Sequence, residues 1–112
     1  MATYIPDRGD LVWLNFTPQS GREQSGRRPA IVLSPSAYNQ KTSLAICCPI
    51  TSHEKKHPFE VRVGGKKIAG VILSDHIKNL DWKERKAIFI EKARTEVLNE
   101  CTAKISALLL LQ

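Results

Sequence analysis

The segment GREQSGRRPAIVLS, residues 21–34, joins a polar stretch punctuated by two glycines to a short apolar run. The apolar residues 30–33 predict a buried strand, and the polar residues before them predict a loop. Pro29 disfavours helical backbone at Arg28 and holds it extended, which fixes where the Arg28 side chain leaves the backbone. Binding and catalytic residues concentrate on loops held by a rigid scaffold, so this segment is a candidate site. An ordinary solvated loop would show the same residues.

Further strands are predicted on both sides of this segment. Residues 11–16 are rich in large apolar side chains, and residues 44–50 form an apolar run bounded by polar residues. The stretch FEVRV, residues 59–63, alternates apolar and charged side chains, as a half-buried strand does. Gly64-Gly65 follows it and supplies the positive-φ residues that a tight hairpin needs. Two short runs complete the set, residues 70–74 and 87–90.

The C-terminal segment changes from strand to helix periodicity. Thr95 followed by Glu96 predicts an N-cap and a first turn. The apolar residues that then fall at helical spacing are Val97, Leu98, Cys101, Ile105, Leu108 and Leu109. Six or so short strands and one helix predict a mainly β fold, a small bent antiparallel sheet or barrel covered by the C-terminal helix. The leucine-rich end of the helix suits a dimer contact or closure of the core equally well.

Length and composition narrow the class of protein. A chain of 112 residues predicts one domain, residues 1–112, and the net charge of +6 favours a polyanion such as nucleic acid or an acidic protein partner. The three cysteines, Cys47, Cys48 and Cys101, lack disulfide or zinc spacing and predict free thiols in a reducing compartment. No apolar leader is visible and residues 108–111 are too short to span a bilayer, so we expect a cytoplasmic protein.

Residues 53–57 spell H-E-x-x-H, the motif of zinc metalloproteases. That chemistry needs both histidines on one face of a helix, and here the motif lies between two predicted strands and stops at Pro58. No third ligand is evident, so we predict no metal and no other cofactor. The stretch is instead expected to be a polar loop, in which Lys55 and Lys56 either contact phosphates or are merely solvated.

A series of short motifs runs along nearly the whole chain: Tyr4-Ile5-Pro6-Asp7, Gly9-Asp10-Leu11-Val12-Trp13, Phe16, Glu23-Gln24, Gly26, Arg28-Pro29-Ala30, Leu33-Ser34-Pro35, Tyr38-Asn39, Pro49-Ile50-Thr51, Pro58-Phe59-Glu60-Val61, Gly70-Val71 and Ser74-Asp75. In the order and spacing of these residues the chain resembles the MazF/PemK family of toxin ribonucleases. The resemblance implies an SH3-like barrel that pairs as a homodimer.

The same resemblance implies the toxin of a type II toxin–antitoxin system. Such a toxin would be a sequence-specific, metal-independent endoribonuclease that cleaves single-stranded RNA, chiefly mRNA, to 2',3'-cyclic phosphate and 5'-hydroxyl ends. Besides RNA and a second copy of the chain, its partner would be an acidic, MazE-like antitoxin lying over the basic RNA groove. One alternative is a non-enzymatic gyrase poison of the same fold. Another is a plain SH3-like binding module.

Arg28 and Thr51 are the predicted catalytic pair, because both match the positions that the family uses. RNA carries its own nucleophile in the 2'-hydroxyl, so an enzyme needs chiefly to align it and stabilise developing charge. A guanidinium binds phosphate oxygens bidentately, and a hydroxyl adds a hydrogen bond. Arg28 is a poor general base because a guanidinium keeps its proton under physiological conditions. Glu23 is the candidate base, and without the resemblance Thr51 would be assigned to capping its own turn.

The remaining site residues are predicted to bind substrate. Gln24 follows Glu23 in the family's E-Q pair, and Phe16 is expected to stack on a base. Asp75 matches a family aspartate, whereas His76 replaces the glutamine that often follows it and either alters base recognition or does nothing. The other predicted contacts are Arg27, Ser52, Lys55 and Lys56. Trp82, within a basic stretch, is expected to be exposed and to stack on a base or anchor a partner.

Overall fold

The structure is a computed structural model that describes residues 3–16 and 26–111, with Phe16 described through its backbone. In this part of the chain the elements are β1 (Asp10–Phe16), β2 (Gly26–Val32), α1 (Ser36–Thr42), β3 (Leu44–Thr51), β4 (Glu60–Arg62), β5 (Val71–Leu73), β6 (Lys78–Asp81), β7 (Ile88–Lys92) and α2 (Thr95–Leu109). The prediction of a mainly β fold with a C-terminal helix is confirmed. Within the described ranges, neither helix is long and apolar enough to cross a bilayer.

The strands form one bent antiparallel sheet in the order β4-β5-β3-β2-β1-β7, and β6 also pairs with β3. β3 is the shared strand, since Ile50 pairs with Ile72 of β5 while Ala45 pairs with Leu80 of β6. In the described residues the sheet is not closed, because the edge strands β4 and β7 do not pair with each other. The predicted barrel is therefore an open one, in which the sheet curves as a barrel does but its two edge strands do not pair.

Two apolar clusters pack against the two faces of the sheet. Neighbouring strand residues alternate between them, so that Leu11 belongs to the first cluster and Val12 to the second. Val97 and Cys101 of α2 cover the first cluster. Trp82, in the turn between β6 and β7, covers the second. All three cysteines are buried and free, as predicted.

Four details differ from the sequence predictions. β2 begins at Gly26, so Arg27 and Arg28 lie on a strand and not in a loop. The predicted strand, residues 30–33, began too late because residues 26–29 carry no apolar alternation. α1 and β6 were not predicted. α2 begins at Thr95 with Arg94 as its N-cap, so Thr95 is not the cap. The turn after β4 is wider than a tight hairpin, and the Val63 N–H reaches the Gly70 carbonyl at 2.9 Å.

The prediction of an exposed Trp82 is wrong. Its side chain is 4% exposed, and its indole Nε1–H donates to the Asn39 carbonyl at 2.9 Å. Asn39 is itself fully buried, and its side-chain amide bonds the Pro6 carbonyl and both oxygens of Ser34. The basic residues around Trp82 suggested exposure, but an amphipathic indole buries its ring wherever a partner for its N–H is available.

Candidate active site

Arg28 and Thr51 lie at the same end of the β2–β3 pair. Ala30 is directly opposite Pro49, and two further steps along each strand reach Arg28 and Thr51. Side chains two residues apart on a strand share a face, so both point to the face that holds Ala30. Arg28 is exposed and Thr51 is half-buried. The structure thus brings the predicted catalytic pair to one face at one end of the sheet.

Arg27 takes the opposite direction from its neighbour. Its guanidinium carbon lies 5.6 Å from the centre of the Trp13 ring, a cation–π contact across the β1–β2 pair. Trp13 packs against the first apolar cluster. Arg27 is therefore on the other face from Arg28, and its assignment as a substrate contact stays a prediction.

The Thr51 hydroxyl has a local partner, since its Oγ1 accepts the His53 N–H at 3.1 Å. This is the turn capping expected of an ordinary strand-end threonine. A hydroxyl also carries one donor hydrogen, which this bond does not use. The capping bond therefore orients Oγ1 and leaves its O–H to be donated to a substrate oxygen.

Gly70 packs against the backbone of Thr51. Its φ is +108°, and a Cβ built on it would lie 2.5 Å from the Thr51 carbonyl oxygen. Only glycine fits both the conformation and the contact. The close approach seats Thr51 beside Val71, its partner on β5.

The H-E-x-x-H stretch is non-helical, as predicted. Ser52, Lys55 and Lys56 are exposed in this segment, directly after Thr51. His57 accepts the Phe59 N–H on Nδ1 at 3.2 Å. Among the described residues, no group of three or more His, Cys, Asp or Glu side chains could hold a metal ion.

Asp75 and His76 lie in the connection from β5 to β6. These two strands run end to end along one edge of β3, where Ile72 faces Ile50 and Lys78 faces Cys47. Residues 73–77 thus span a distance that only residues 48–49 cover on β3, so this connection bulges outward. The side chains of Asp75 and His76 are exposed on the bulge. The bulge lies roughly 8–10 Å along β3 from Thr51, at about 3.4 Å per residue. The His76 Nε2 and Asp75 Oδ1 are 3.9 Å apart.

Two predicted site residues, Glu23 and Gln24, lie outside the described residues. The side chain of Phe16 is likewise not described, although its backbone ends β1 opposite Gly26. The roles given to these three residues stay predictions.

The sequence analysis missed two polar features. An open polar cleft of about 390 Å³ is lined by Asn15, Asn79, Leu80, Asp81, Glu84 and Arg85. It depends on β6, for which the periodicity gave no signal. The second feature is Glu60, whose alternation in β4 suggested solvent exposure but whose side chain is only 4% exposed. A buried acid among apolar neighbours gives no sequence signal until its hydrogen-bond donors are known.

A bent antiparallel sheet under one helix, with an arginine, a hydroxyl and two lysines at one end, defines a small basic β protein suited to a phosphate-bearing substrate. Residues 7–109 match the family model of PemK-like, MazF-like toxins of type II toxin–antitoxin systems, and the chain belongs to this family.

Relatives and solved structures agree with this assignment. The chain is 43% identical over 109 residues to the endoribonuclease toxin MazF of Escherichia coli K12, covering 97% of this chain and 98% of the relative. It is 30% identical to the Escherichia coli endoribonuclease PemK over 92% of this chain and 81% of the relative. The MazE–MazF crystal structure (Form-II) from Deinococcus radiodurans superposes with a TM-score of 0.91 at 50% identity, covering 98% and 100% of the two chains. These relatives favour the nuclease over the gyrase-poison alternative.

Proposed function

We propose that this protein is the toxin of a type II toxin–antitoxin system and a sequence-specific, metal-independent endoribonuclease acting on single-stranded RNA, chiefly mRNA. One observation carries the site: Arg28 and Thr51 share a face at one end of the β2–β3 pair. The full-length similarity to an endoribonuclease toxin supports the reaction.

In the proposed reaction the RNA supplies its own nucleophile. The 2'-hydroxyl oxygen bonds to phosphorus as the bond to the 5'-oxygen breaks, which leaves a 2',3'-cyclic phosphate and a 5'-hydroxyl. Glu23 is the candidate base for the 2'-hydroxyl proton, and the departing oxygen takes a proton from Arg28 or from solvent. The Arg28 guanidinium and the Thr51 O–H bind the phosphate oxygens, whose negative charge grows in the transition state.

The remaining predicted contacts divide by chemistry. Phosphate binding falls to Ser52, Lys55, Lys56 and Arg27, and base recognition to Phe16, Gln24, Asp75 and His76. Unstacked bases expose the edges that such side chains read by hydrogen bonding. The bulge that carries Asp75 and His76 lies opposite the middle of β3, roughly 8–10 Å along the strand from Thr51 at about 3.4 Å per residue, which suits the reading of a base adjacent to the cut.

The proposed partners are a second copy of the chain and an acidic antitoxin, with the complex acting in the cytoplasm. Leu109, Leu110 and Leu111 are 71–77% exposed, so the end of α2 does not close the core of this chain, and its apolar surface favours a homodimer contact. A net charge of +6 suits an acidic antitoxin. The Deinococcus radiodurans relative is solved as a MazE–MazF complex.

Cleavage of a defined transcript by purified protein in excess EDTA tests the proposal. We expect full activity, cuts at one short sequence and the end groups given above. Activity that is lost in EDTA and restored by zinc would revive the H-E-x-x-H hypothesis. Inhibition of gyrase supercoiling without RNA cleavage would favour the other toxin class.

A further inference from the structure

The buried carboxylate of Glu60 organises the loop that follows Thr51. Its oxygens accept the Lys55 N–H at 2.9 and 3.2 Å and the Lys56 N–H at 2.8 Å. Lys56 has a φ of +62°, a conformation that a side-chain-bearing residue adopts only where its surroundings compensate. The carboxylate thus binds the backbone of the two lysines and leaves their ammonium groups outside.

A second tie comes from the C-terminal helix. The Lys104 ammonium of α2 donates to the Pro58 carbonyl at 2.7 Å and to the Glu60 carbonyl at 3.0 Å. The imidazole Nε2 of His57 lies 3.7 Å from the Glu60 carboxylate. The loop is therefore fixed to β4 and to α2 at its far end, and to Thr51 at its start.

The charge of Glu60 is maintained inside this loop. Burial raises the pKa of the Glu60 carboxyl, but the two backbone N–H donors outweigh that effect and hold the pKa below its ordinary value. An ionised carboxylate is a stronger acceptor than a neutral group, so the loop is held by charge-assisted bonds.

We propose that Glu60 is a positioning residue for the RNA reaction, which holds the backbone of Lys55 and Lys56 so that both ammonium groups meet substrate phosphates beside Thr51. This inference rests on the proposed function. Glu60 does not touch the substrate and acts only through the loop.

The sign of the Glu60→Ala effect separates positioning from simple electrostatics. Removing any carboxylate raises the net charge and should, by charge alone, tighten RNA binding. Loss of the loop bonds should weaken binding instead. Glu54 offers a matched control, because it lies in the same loop, carries the same charge and pairs with the exposed Arg62 at 3.3 Å.

The experiment measures RNA affinity against salt for wild type, Glu60→Ala, Glu60→Gln and Glu54→Ala. The probe is an intact oligonucleotide that contains the cleavage sequence with a 2'-deoxy residue at the cut. It lacks the 2'-hydroxyl nucleophile and therefore binds without reacting. For Glu60→Ala we expect a salt slope lower by up to about 1.4, since each lost phosphate contact on a single strand removes about 0.7. KM should rise more than kcat falls, and exchange of the Lys55 and Lys56 amide hydrogens should accelerate. Glu60→Gln keeps one acceptor and should be intermediate, while Glu54→Ala should bind as tightly as wild type or more tightly.

Tighter binding and an unchanged slope in Glu60→Ala would overturn the inference. Should Glu60→Ala fail to fold by circular dichroism, Glu60→Gln decides alone: a reduced slope supports positioning and a wild-type slope refutes it. A wild-type protein that neither binds nor cuts RNA would overturn the proposed function, which is a separate outcome.

Discussion

Two loops of this protein carry adjacent lysines and are each held by one glutamate, yet they serve different ends of the fold. In the site loop, residues 52–59, Glu60 holds the backbone just after Thr51. In the closing loop, residues 64–69, Glu91 accepts the N–H groups of Lys66, Lys67 and Ile68 at 2.8–3.2 Å. The lysine pairs look alike in the sequence, so position on the sheet must distinguish their roles.

The closing loop connects the two edges of the open sheet. Glu91 lies on β7, the strand at one edge, and the loop follows β4, the strand at the other edge. β4 and β7 do not pair as strands in the described residues, so the Glu91 bonds join the edges where a closed barrel would have a ladder. In both loops a carboxylate binds consecutive backbone N–H groups: Glu60 does so in the proposed RNA site, and Glu91 does so between the two edges of the sheet.

The largest effect is expected at Arg28, which belongs to neither loop. Arg28→Ala should reduce RNA cleavage about 100- to 1,000-fold, the usual cost of losing one preorganised donor to the transition state. The protein should still fold, because the Arg28 side chain is exposed and lies outside the apolar clusters. Single-turnover cleavage and thermal unfolding of the same preparations measure both. Arg28→Lys keeps the charge but not the bidentate geometry and should recover only part of the rate. Near-wild-type cleavage by Arg28→Ala would place the active site elsewhere.

Replacing each lysine pair by alanine tests directly whether the two loops differ in RNA binding. Lys55→Ala with Lys56→Ala should lower the salt slope of RNA binding by about 1.4, at about 0.7 per phosphate on a single strand. Lys66→Ala with Lys67→Ala removes the same charge and should change the slope by less than about 0.7. Equal slopes for the two double variants would mean that only net charge matters and that the loops do not differ in role.

Stability should respond in the opposite order. Glu91→Ala leaves three backbone donors without their acceptor and loosens the contact between the sheet edges, so the midpoint of thermal unfolding should fall by several degrees. Activity per folded molecule should persist at low temperature. Glu60→Ala leaves two backbone donors without their acceptor and should also lower the midpoint, but unlike Glu91→Ala it should weaken RNA binding by the folded protein. Glu96→Ala is a suitable control for the change in charge, because it removes an exposed acid that pairs only with Arg94 among the described residues.

Glu91 also makes the stability of the fold depend on pH, and the direction of this dependence follows from its pKa. The N–H of Lys67 is the main cause that lowers the pKa of Glu91, followed by the opposing effect of burial and then by Ile68 and Lys66. A depressed native pKa contributes stability that is complete above the unfolded value, near 4.5, and is lost as pH falls through the native value. The free energy of unfolding, measured with denaturant at a series of pH values, should therefore fall less steeply toward acid pH in Glu91→Gln than in wild type. Parallel curves would show that Glu91 does not contribute.

The sequence predicted the parts of the fold that depend on periodicity and turn chemistry. The apolar pattern of β1 and β3 and the helical spacing of α2 were sufficient to predict these elements, because their own apolar residues determine which face packs against the core. β2 was placed too late because Arg27 and Arg28 are strand residues only through pairing with β1. The burial of Trp82 depends on Asn39, a partner distant in the chain. The burial of Glu60 depends on a loop conformation that turns the backbone N–H groups at 55–56 toward its carboxylate, which no periodicity indicates.

For the site, the resemblance to the family supplied what the residues alone left open. Arg28 and Thr51 were chosen because they match family positions, and the β2–β3 register then placed them on one face. The loop conformation of residues 53–57 followed from elementary helix requirements. What no pattern could supply was the difference between the two lysine pairs, since it arises from which glutamate each loop meets.

The smallest effect on rate is expected at His76, where specificity and not turnover should change. His76 lies on the bulge opposite the middle of β3, away from both loops and exposed beside Asp75. A neutral imidazole offers one donor and one acceptor, whereas the amide of glutamine offers two donors and a carbonyl oxygen. His76→Gln should therefore shift the preferred cleavage sequence while leaving the rate on the best site within a few fold. Sequencing the 5' ends of one transcript cut by each protein compares the two, with Lys78→Gln as a control on the neighbouring strand. If the maps coincide, His76 takes no part in reading the RNA, and recognition lies with residues on the other side of Thr51.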